Sequence, residues 1–471
     1  MAGLFNAINA ARTSLEVNQK SIEVIGNNIA NQTTDGYSRQ QAIVHPFPAM
    51  HYGDFFVGHG VKIADIRREN DIFIDRQIRG KAVDLGMQEA MSRPLGELER
   101  VFGVGDNSLS TSIDSFFDAV QELSADPADL VQRNNVIFQG QALATGFTST
   151  VAELDSIKEN INISLLSKIE TINAQLSEVA DLNDRIASIE VHGQTANSAR
   201  DQRDLLAKSL AGTIGAIAYE DSRGMLALQL PTGLPLVQGG MAMSLSAEFT
   251  GSNLNLQLQA GGVTRDLNLR SLGGEFHGLL TLRDSFIPSL NADLDRLAYE
   301  LAVAVNLQHQ AGTGLDSTSG NLFFSMPPNY QPAPPDPTAA EYLGAARQLA
   351  VVLTDPNQLA AGFSSAPGDN RNALAIATIG REYRIGGTDS FTSLYGKIAA
   401  TVGSESNQNQ LFLKGAEDAM VQLENFRDGL VGVSLEEEMI SLIQYQRGFQ
   451  SSAKFLSTVD EMLSALMEIR R

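Results

Sequence analysis

Apolar positions at the two ends of the chain follow one pattern. Leu4, Ile8, Ala11, Leu15, Asn18, Ile22, Ile25 and Ile29 alternate in steps of four and three, and Leu435, Met439, Leu442, Gln446, Phe449, Ala453, Leu456, Asp460, Leu463 and Met467 repeat those steps. Such spacing keeps one side of a helix turned toward a partner as two helices supercoil. Each end therefore predicts a helix that needs another helix to cover it. Asn18 inside the first seam reads either as a register device or as an exposed polar interruption. Ser434 with Glu437 three residues on is a capping-box signature at the start of the C-terminal helix, and Asn27, Asn28, Asn31 and Gly36 supply breakers after the N-terminal one.

Between the ends the period changes in blocks. Residues 71–102 read as helix in two pieces, with Ile74, Ile78 and Leu85 on one stripe and Met91, Leu95, Leu98 and Phe102 on another. A shorter helix carries Ile113, Phe116, Phe117 and Val120, another spans Leu130 to Leu143, and the longest runs on the stripe from Leu154 to Ile189. After Gly212 the period drops to two: Leu226, Leu228 and Leu230 alternate, as do Met241, Met243 and Leu245, and residues 253–259 alternate strictly. Glycines between these runs mark turns, so a small β module is inserted into a helical domain. Helix resumes on Phe286, Leu290, Leu294, Leu297, Leu301 and Val305; a strand is expected at Leu349 to Leu353 and helix again from about Phe391 to Phe426. The expected fold is mainly α with an inserted small β domain, the terminal helices forming a coiled-coil base below a long-helix middle domain. The domains are then 1–40 with 430–471 (terminal coiled coil), 41–212 with 275–325 and 371–429 (helical middle), 213–274 with 338–370 (outer, β-rich), and a Pro-rich linker at 326–337.

Composition narrows the partners. The 471 residues carry a formal charge of −21, which opposes a nucleic-acid footprint and adhesion to anionic membranes, so protein partners are expected. No apolar run is long enough to span a bilayer, and the N-terminal apolar residues are spaced as a helix face rather than as a cleavable signal. The chain has neither Cys nor Trp, which removes disulfides, thiolate metal sites and thiol catalysis.

Catalytic constellations are not found, and no cofactor or metal is expected. His45, His51 and His59 lie in a Gly/Pro-broken segment without metal-ligand spacing, and there is no nucleophile elbow, phosphate loop or dinucleotide fingerprint. Asp71 with Asp75, and Glu436 to Glu438, read as solvated or dipole-favoured carboxylates at helix starts. The run Gly312 to Gly320 lacks the acidic spacing and distal Glu of a calcium loop and reads as a turn.

The run Asn27 to Arg39, with Asn28, Ala30, Asn31, Thr34, Gly36 and Tyr37, resembles the ANxxTxGY motif of the bacterial flagellar axial proteins, the rod, hook and hook-associated subunits. Ser434 to Met439, Leu442 to Gln450 and Met462 to Leu466 are similar to their shared C-terminal domain. In the middle, Gly58 to Ile63, Arg67 to Asp71, and Asn306 to Gly312 running on to Asp316, Gly320, Phe323 and Phe324, resemble the hook-filament junction members. Longer members carry an additional outer β domain where this chain has a short Pro-rich connection. Gly448 and Ser451 also depart from the usual Ala-rich surface of the terminal helix.

The resemblance implies a non-enzymatic structural subunit of the extracellular flagellum. It would be secreted through the flagellar type III apparatus, fold its terminal helices on assembly, and join hook to filament as an adapter ring. The implied partners are the hook protein, the second hook-filament junction protein, other copies of the same chain, and an export chaperone on the C-terminal helix. The assembly seams would be Leu4, Ile8, Ala11, Leu15, Ile22, Ile25 and Ile29 at one end, and Leu435, Met439, Leu442, Phe449, Leu456, Leu463 and Met467 at the other. The alternatives are a rod or hook subunit, or an exported enzyme carried on axial termini.

Overall fold

In the computed structural model, described for all residues except 1, 53–54, 104, 106–107, 222, 251–252, 329, 331–338, 383–384, 386 and 470–471, helix α1 (Ala2–Ala30) leads into four strands. These are β1 (Gln40–Pro46), β2 (Met50–Tyr52), β3 (Phe55–Val57) and β4 (Val61–Arg68); β1 pairs antiparallel with β4, and β2 with β3. Helices α2 (Ile72–Val101), α3 (Leu109–Leu123), α4 (Leu130–Glu190) and α5 (Asn197–Ile214) follow. Short strands come next: β5 (Ile217–Glu220), β6 (Leu226–Gln229), β7 (Pro235–Gln238), β8 (Met241–Ala242), β9 (Ser244–Thr250), β10 (Asn253–Ala260) and β11 (Val263–Leu267). The chain returns to helix in α6 (Gly274–Thr281), a π turn (Leu282–Phe286), α7 (Ile287–Gln310), α8 (Ala339–Tyr342), α9 (Ala345–Gln348), α10 (Arg371–Ile379), α11 (Phe391–Val431) and α12 (Leu435–Ile469).

The chain divides into two compact units. The first comprises Met1–Gly86, Ile169–Gly274 and Gly415–Arg471. In it, Ile74, Ile78 and Ala82 of α2 pack on Met420 of α11, with Leu85 and Leu423 beside them, and Leu182 and Ile186 of α4 pack on Ala196 and Ala199. The β module forms two antiparallel sheets, ordered β5-β6-β7-β8 and β11-β10-β9. Two asparagines of α4 hold them. Asn183 donates to the carbonyls of Leu226 and Gly239 and accepts from Leu226 N–H, and Asn173 bonds Leu245 N–H and C=O in the same way. Each carboxamide matches the donor and acceptor of one strand residue, so these backbone groups keep their partners. Leu254, Leu256 and Leu258 are buried on one face of β10, as the period of two requires.

The second unit comprises Met87–Lys168 and Glu275–Lys414. Phe116 and Phe117 of α3 meet Phe323 and Phe324 in a group of tilted and edge-on rings. The loop bearing the last two is fixed by α7: Asn306 accepts from the N–H groups of Phe323 and Phe324 and donates to Phe324 C=O. His309, one turn on, is fully buried. Its Nε2 accepts from Ala360 N–H at 3.0 Å, so Nδ1 carries the proton and donates to Asn321 C=O at 2.7 Å. Arg133 is likewise buried and donates to the carbonyls of Pro127, Pro356 and Leu359.

Burial, reinforced by the Arg133 charge, holds the His309 imidazole below its ordinary value, despite its bond to Asn321. An unfolded histidine protonates near pH ~6.5, whereas the folded ring resists protonation. The stability this buried neutral ring contributes is therefore complete above about pH 6.5 and falls as the pH drops below it. Urea unfolding of the full chain is expected to lose more stability between pH 7 and 5 than that of His309→Gln, which starts weaker but depends less on pH. Equal losses in the two chains would refute the role given to this ring.

Several elements differ from their sequence reading. The helices expected at 130–143 and 154–189 are one helix, α4, of 61 residues or about 90 Å. Gly146 and the threonines around it do not break this helix: Thr145 and Thr150 bond back to Gln141 and Gly146 carbonyls, while Leu143, Ala144, Phe147 and Val151 are buried. Core packing outweighs their low helix propensity. The two expected pieces at 71–102 are likewise one helix, whose two stripes belong to different units. Leu349–Leu353 is not a strand. It makes a single bridge, Val351 to Phe324, because the facing segment runs into prolines that lack an N–H. The expected outer β-rich domain also divides: β5–β11 lie in the first unit, and 339–370, with α8 and α9, in the second. Of the expected linker 326–337, residues 329 and 331–337 lie outside the described residues.

Candidate functional site

Helices α1 and α12 lie against each other and run antiparallel: Ser14 faces Ser452, Asn18 faces Gly448 and Asn28 faces Glu438. The residues of the N-terminal seam differ in burial. Ala11 and Ile25 are buried, and Leu4, Ile8, Leu15, Ile22 and Ile29 are half-buried. A second side of α1, with Thr13, Val17, Ser21 and Asn28, is also buried, and Thr13 Oγ1 accepts weakly from Val61 N–H of the β1–β4 ribbon.

The C-terminal seam is turned from its expected position. The residues of α12 withdrawn from solvent are Glu438, Ser441, Leu442, Tyr445, Gly448, Ser452, Leu456, Val459 and Leu463. Leu442, Leu456 and Leu463 of the expected seam belong to this strip. Leu435, Met439, Phe449 and Met467 do not; they are exposed, together with Ile440, Ile443, Met462 and Leu466. The apolar stripe of α12 is wider than one helix contact. Within the strip the small residues Ser441, Gly448 and Ser452 alternate with the larger Leu442, Tyr445, Leu456, Val459 and Leu463.

The motif after α1 builds a polar latch across the end of this pair. Asn28, only 1% exposed, accepts at Oδ1 from Tyr37 Oη at 2.8 Å and from Gln40 N–H at 3.0 Å. Its Nδ2 donates to Gln40 C=O at 2.9 Å and to Glu438 Oε2 at 3.1 Å. Glu438, whose side chain is 2% exposed, takes Arg39 Nε at 2.7 Å on its other oxygen, and Arg39 also reaches Glu437 at 2.9 Å. Against the cost of burial, the charge and hydrogen bond of Glu438, with Glu69 and Glu437, raise the Arg39 guanidinium further above its ordinary value. Burial, together with the Asp201 and Glu438 charges, pushes the Tyr37 phenol up to about 12, so it stays a neutral donor.

The remaining motif residues shape the turn. Asn31 donates to Asn27 and accepts from Thr34 Oγ1, Thr34 C=O accepts from Tyr37 N–H, and Ala30 is exposed at the end of α1. Gly36 has φ +77°, a left-handed conformation that side chains disfavour. Ser38 N–H donates to Asp201 of α5, which also pairs with Arg68 of β4, while Arg68 holds Asp204. The turn is thereby fixed to α1, α12, the ribbon and α5. Arg39, Glu438, Asp201 and Arg68 are the site residues that the sequence did not single out. Glu438 stood in an acidic run read as helix-dipole charge, and nothing in the sequence pairs it with a residue 410 positions away.

This arrangement holds elements together and offers no reactive group. Every carboxylate of the latch is paired, and among the described residues no group of three or more His, Cys, Asp or Glu could hold a metal. Several ionisable residues of the β module are also engaged: Glu220 with Arg200 and Arg203, Asp221 with its own turn, and Asp266 with Gln257. Among the described residues no helix is long and apolar enough to cross a membrane.

Residues 95–324 match the family model of the flagellar hook-associated protein FlgK helical domain, and residues 430–469 match that of the flagellar basal body rod FlgEFG protein C-terminal region. Flagellar hook-associated protein 1 of Bacillus subtilis strain 168 is 26% identical, over 99% of this chain and 98% of its own length. That of Escherichia coli K12 is 24% identical, over 98% and 99% respectively. The flagellar hook junction protein FlgK of Burkholderia pseudomallei shares the fold, with a TM-score of 0.67 at 16% identity, over 76% of this chain and all of that one. With relatives matched from end to end, and both the helical middle and the axial C-terminus recognised, the chain is similar over nearly its whole length to flagellar hook-associated protein 1.

Proposed function

We propose that this chain is a structural subunit of the bacterial flagellum that joins hook to filament as a ring of adapter subunits outside the cell, without enzymatic activity. The observation that carries this reading is the half-covered terminal pair. α1 covers one strip of α12, while Leu435, Met439, Ile440, Ile443, Met462, Leu466 and Met467 stay exposed along the rest of it, and Phe5 stays exposed on α1. An apolar surface of this extent on a pair already closed by its own latch suits burial between neighbouring subunits. The hook protein below, the second junction protein above and further copies beside it are the partners proposed for that surface, and an export chaperone is proposed to cover α12 before assembly.

Deleting the gene tests the role. Cells are expected to keep intact hooks, lose filaments and release filament protein into the medium, with the intact chain restoring filaments when supplied. Filaments persisting in the deletion strain, or hooks lost along with them, would contradict a junction role.

A further inference from the structure

The contact between α1 and α12 contains a polar notch that a heptad seam does not call for. Ser14 Oγ and Ser452 Oγ are 2.8 Å apart, linking the two ends of the chain. One turn along α1, Asn18 Nδ2 donates to Ser14 C=O at 2.8 Å and reaches Ser14 Oγ at 3.3 Å. These bonds fix the carboxamide over Gly448, where a β-carbon would stand 2.7 Å from Asn18 Oδ1 and 3.2 Å from Asn18 Cγ. Gly448 has ordinary helical backbone, so its conformation does not require glycine. Glycine inside a helix is disfavoured relative to alanine. The neighbour that would collide with a side chain there is the Asn18 amide, which can swing away only by giving up its bond to Ser14.

We propose that Ser14, Asn18, Gly448 and Ser452 form a recognition site through which α12 selects the α1 of its own chain in one alignment. Sliding the pair by seven residues in either direction removes the fit. In one direction Asn18 comes opposite Phe455 and Ser14 opposite Val459; in the other, Ser14 comes opposite Tyr445 and Asn18 opposite Ser441. The first strips the amide of water beside apolar groups, and the second sets a phenol where the close approach needs a small residue. A polar residue in an apolar seam specifies alignment in this way in coiled coils generally. The apolar positions alone repeat every seven residues and do not distinguish these alignments.

The chain has no cysteine, so S14C/S452C reads the alignment without background. The sulfurs would fall within reach of a disulfide. Mild oxidation of the full-length chain is expected to give an intrachain bond, seen as faster migration on a non-reducing gel, while S14C/Y445C reacts far more slowly. Adding Gly448→Ala should lower the initial rate at S14C/S452C by about fivefold or more. Combining Asn18→Ala with Gly448→Ala should bring the rate back, because the collision is gone and the helix gains an alanine. An unchanged rate in the Gly448→Ala chain, no recovery in the combined variant, or bonds formed mainly between two chains would each overturn the proposal.

Discussion

Removal of residues 435–471 is expected to abolish incorporation at the hook while leaving the central domains folded. No residue of α12 belongs to the second unit. Within the first unit the packed groups around Ile74, Ile78 and Met420, and around Leu182 and Ile186, contain no residue of α12 either. Among the described side chains of α12, only Glu438 and Val459 are fully buried. The deletion therefore removes little core, and the principal thermal transition should move by no more than about 2–4 °C, the shift that 1 kcal/mol produces in a domain of this size. What disappears is the helix that carries both the partner strip for α1 and the exposed apolar stripe. Adding purified truncated and full-length chains to hooks from cells lacking the subunit separates incorporation from export. A truncated chain that sediments with hooks as well as the full chain would remove α12 from the assembly site, and collapse of the principal transition would show that α12 belongs to the core.

The second large effect is expected at Asn28. Substitution by alanine strands the Tyr37 hydroxyl, Gln40 N–H and C=O, and one oxygen of Glu438 in a buried place. Unmet buried groups cost about 1–3 kcal/mol each, less where water enters, so a loss of about 2–4 kcal/mol in the terminal pair is expected. Asn28→Asp, nearly the same shape, should be at least as damaging at neutral pH. It loses the donor to Glu438 and sets a second carboxylate about 3 Å from the first, and like charges at that range oppose each other strongly when buried. Limited proteolysis should show α1 and α12 cut faster in both variants, with fragments of the second unit unaffected. An Asn28→Asp chain as resistant as the parent would refute the latch.

Both predictions depend on features that differ in how they are encoded. The heptads of α1 and α12, the alternation in β10 and the long stripe of α4 could be read directly, since side-chain direction follows backbone period. The motif from Asn28 to Tyr37 and the helical middle carry the resemblance to the flagellar hook-associated proteins. Element boundaries were less legible. Gly146 and Thr150 have the composition of a break, yet they lie inside α4 because Phe147 and Val151 are buried there. The ribbon of β1 and β4 was missed because its side chains are mostly half-buried or exposed and give no clear apolar alternation.

The sequence by itself determined that two terminal helices need partners, that a β module interrupts a helical chain, and that the chain is a flagellar axial protein. Those conclusions rest on periodicity and on motifs, which are local. Only the tertiary structure decided which side of α12 meets α1, that they run antiparallel, and that Asn28, Arg39 and Glu438 form one buried group. A stripe wider than one interface has several apolar faces of similar quality. The choice between them falls to close contacts such as Asn18 on Gly448, which bring together residues more than 400 positions apart and leave no periodic trace in the sequence.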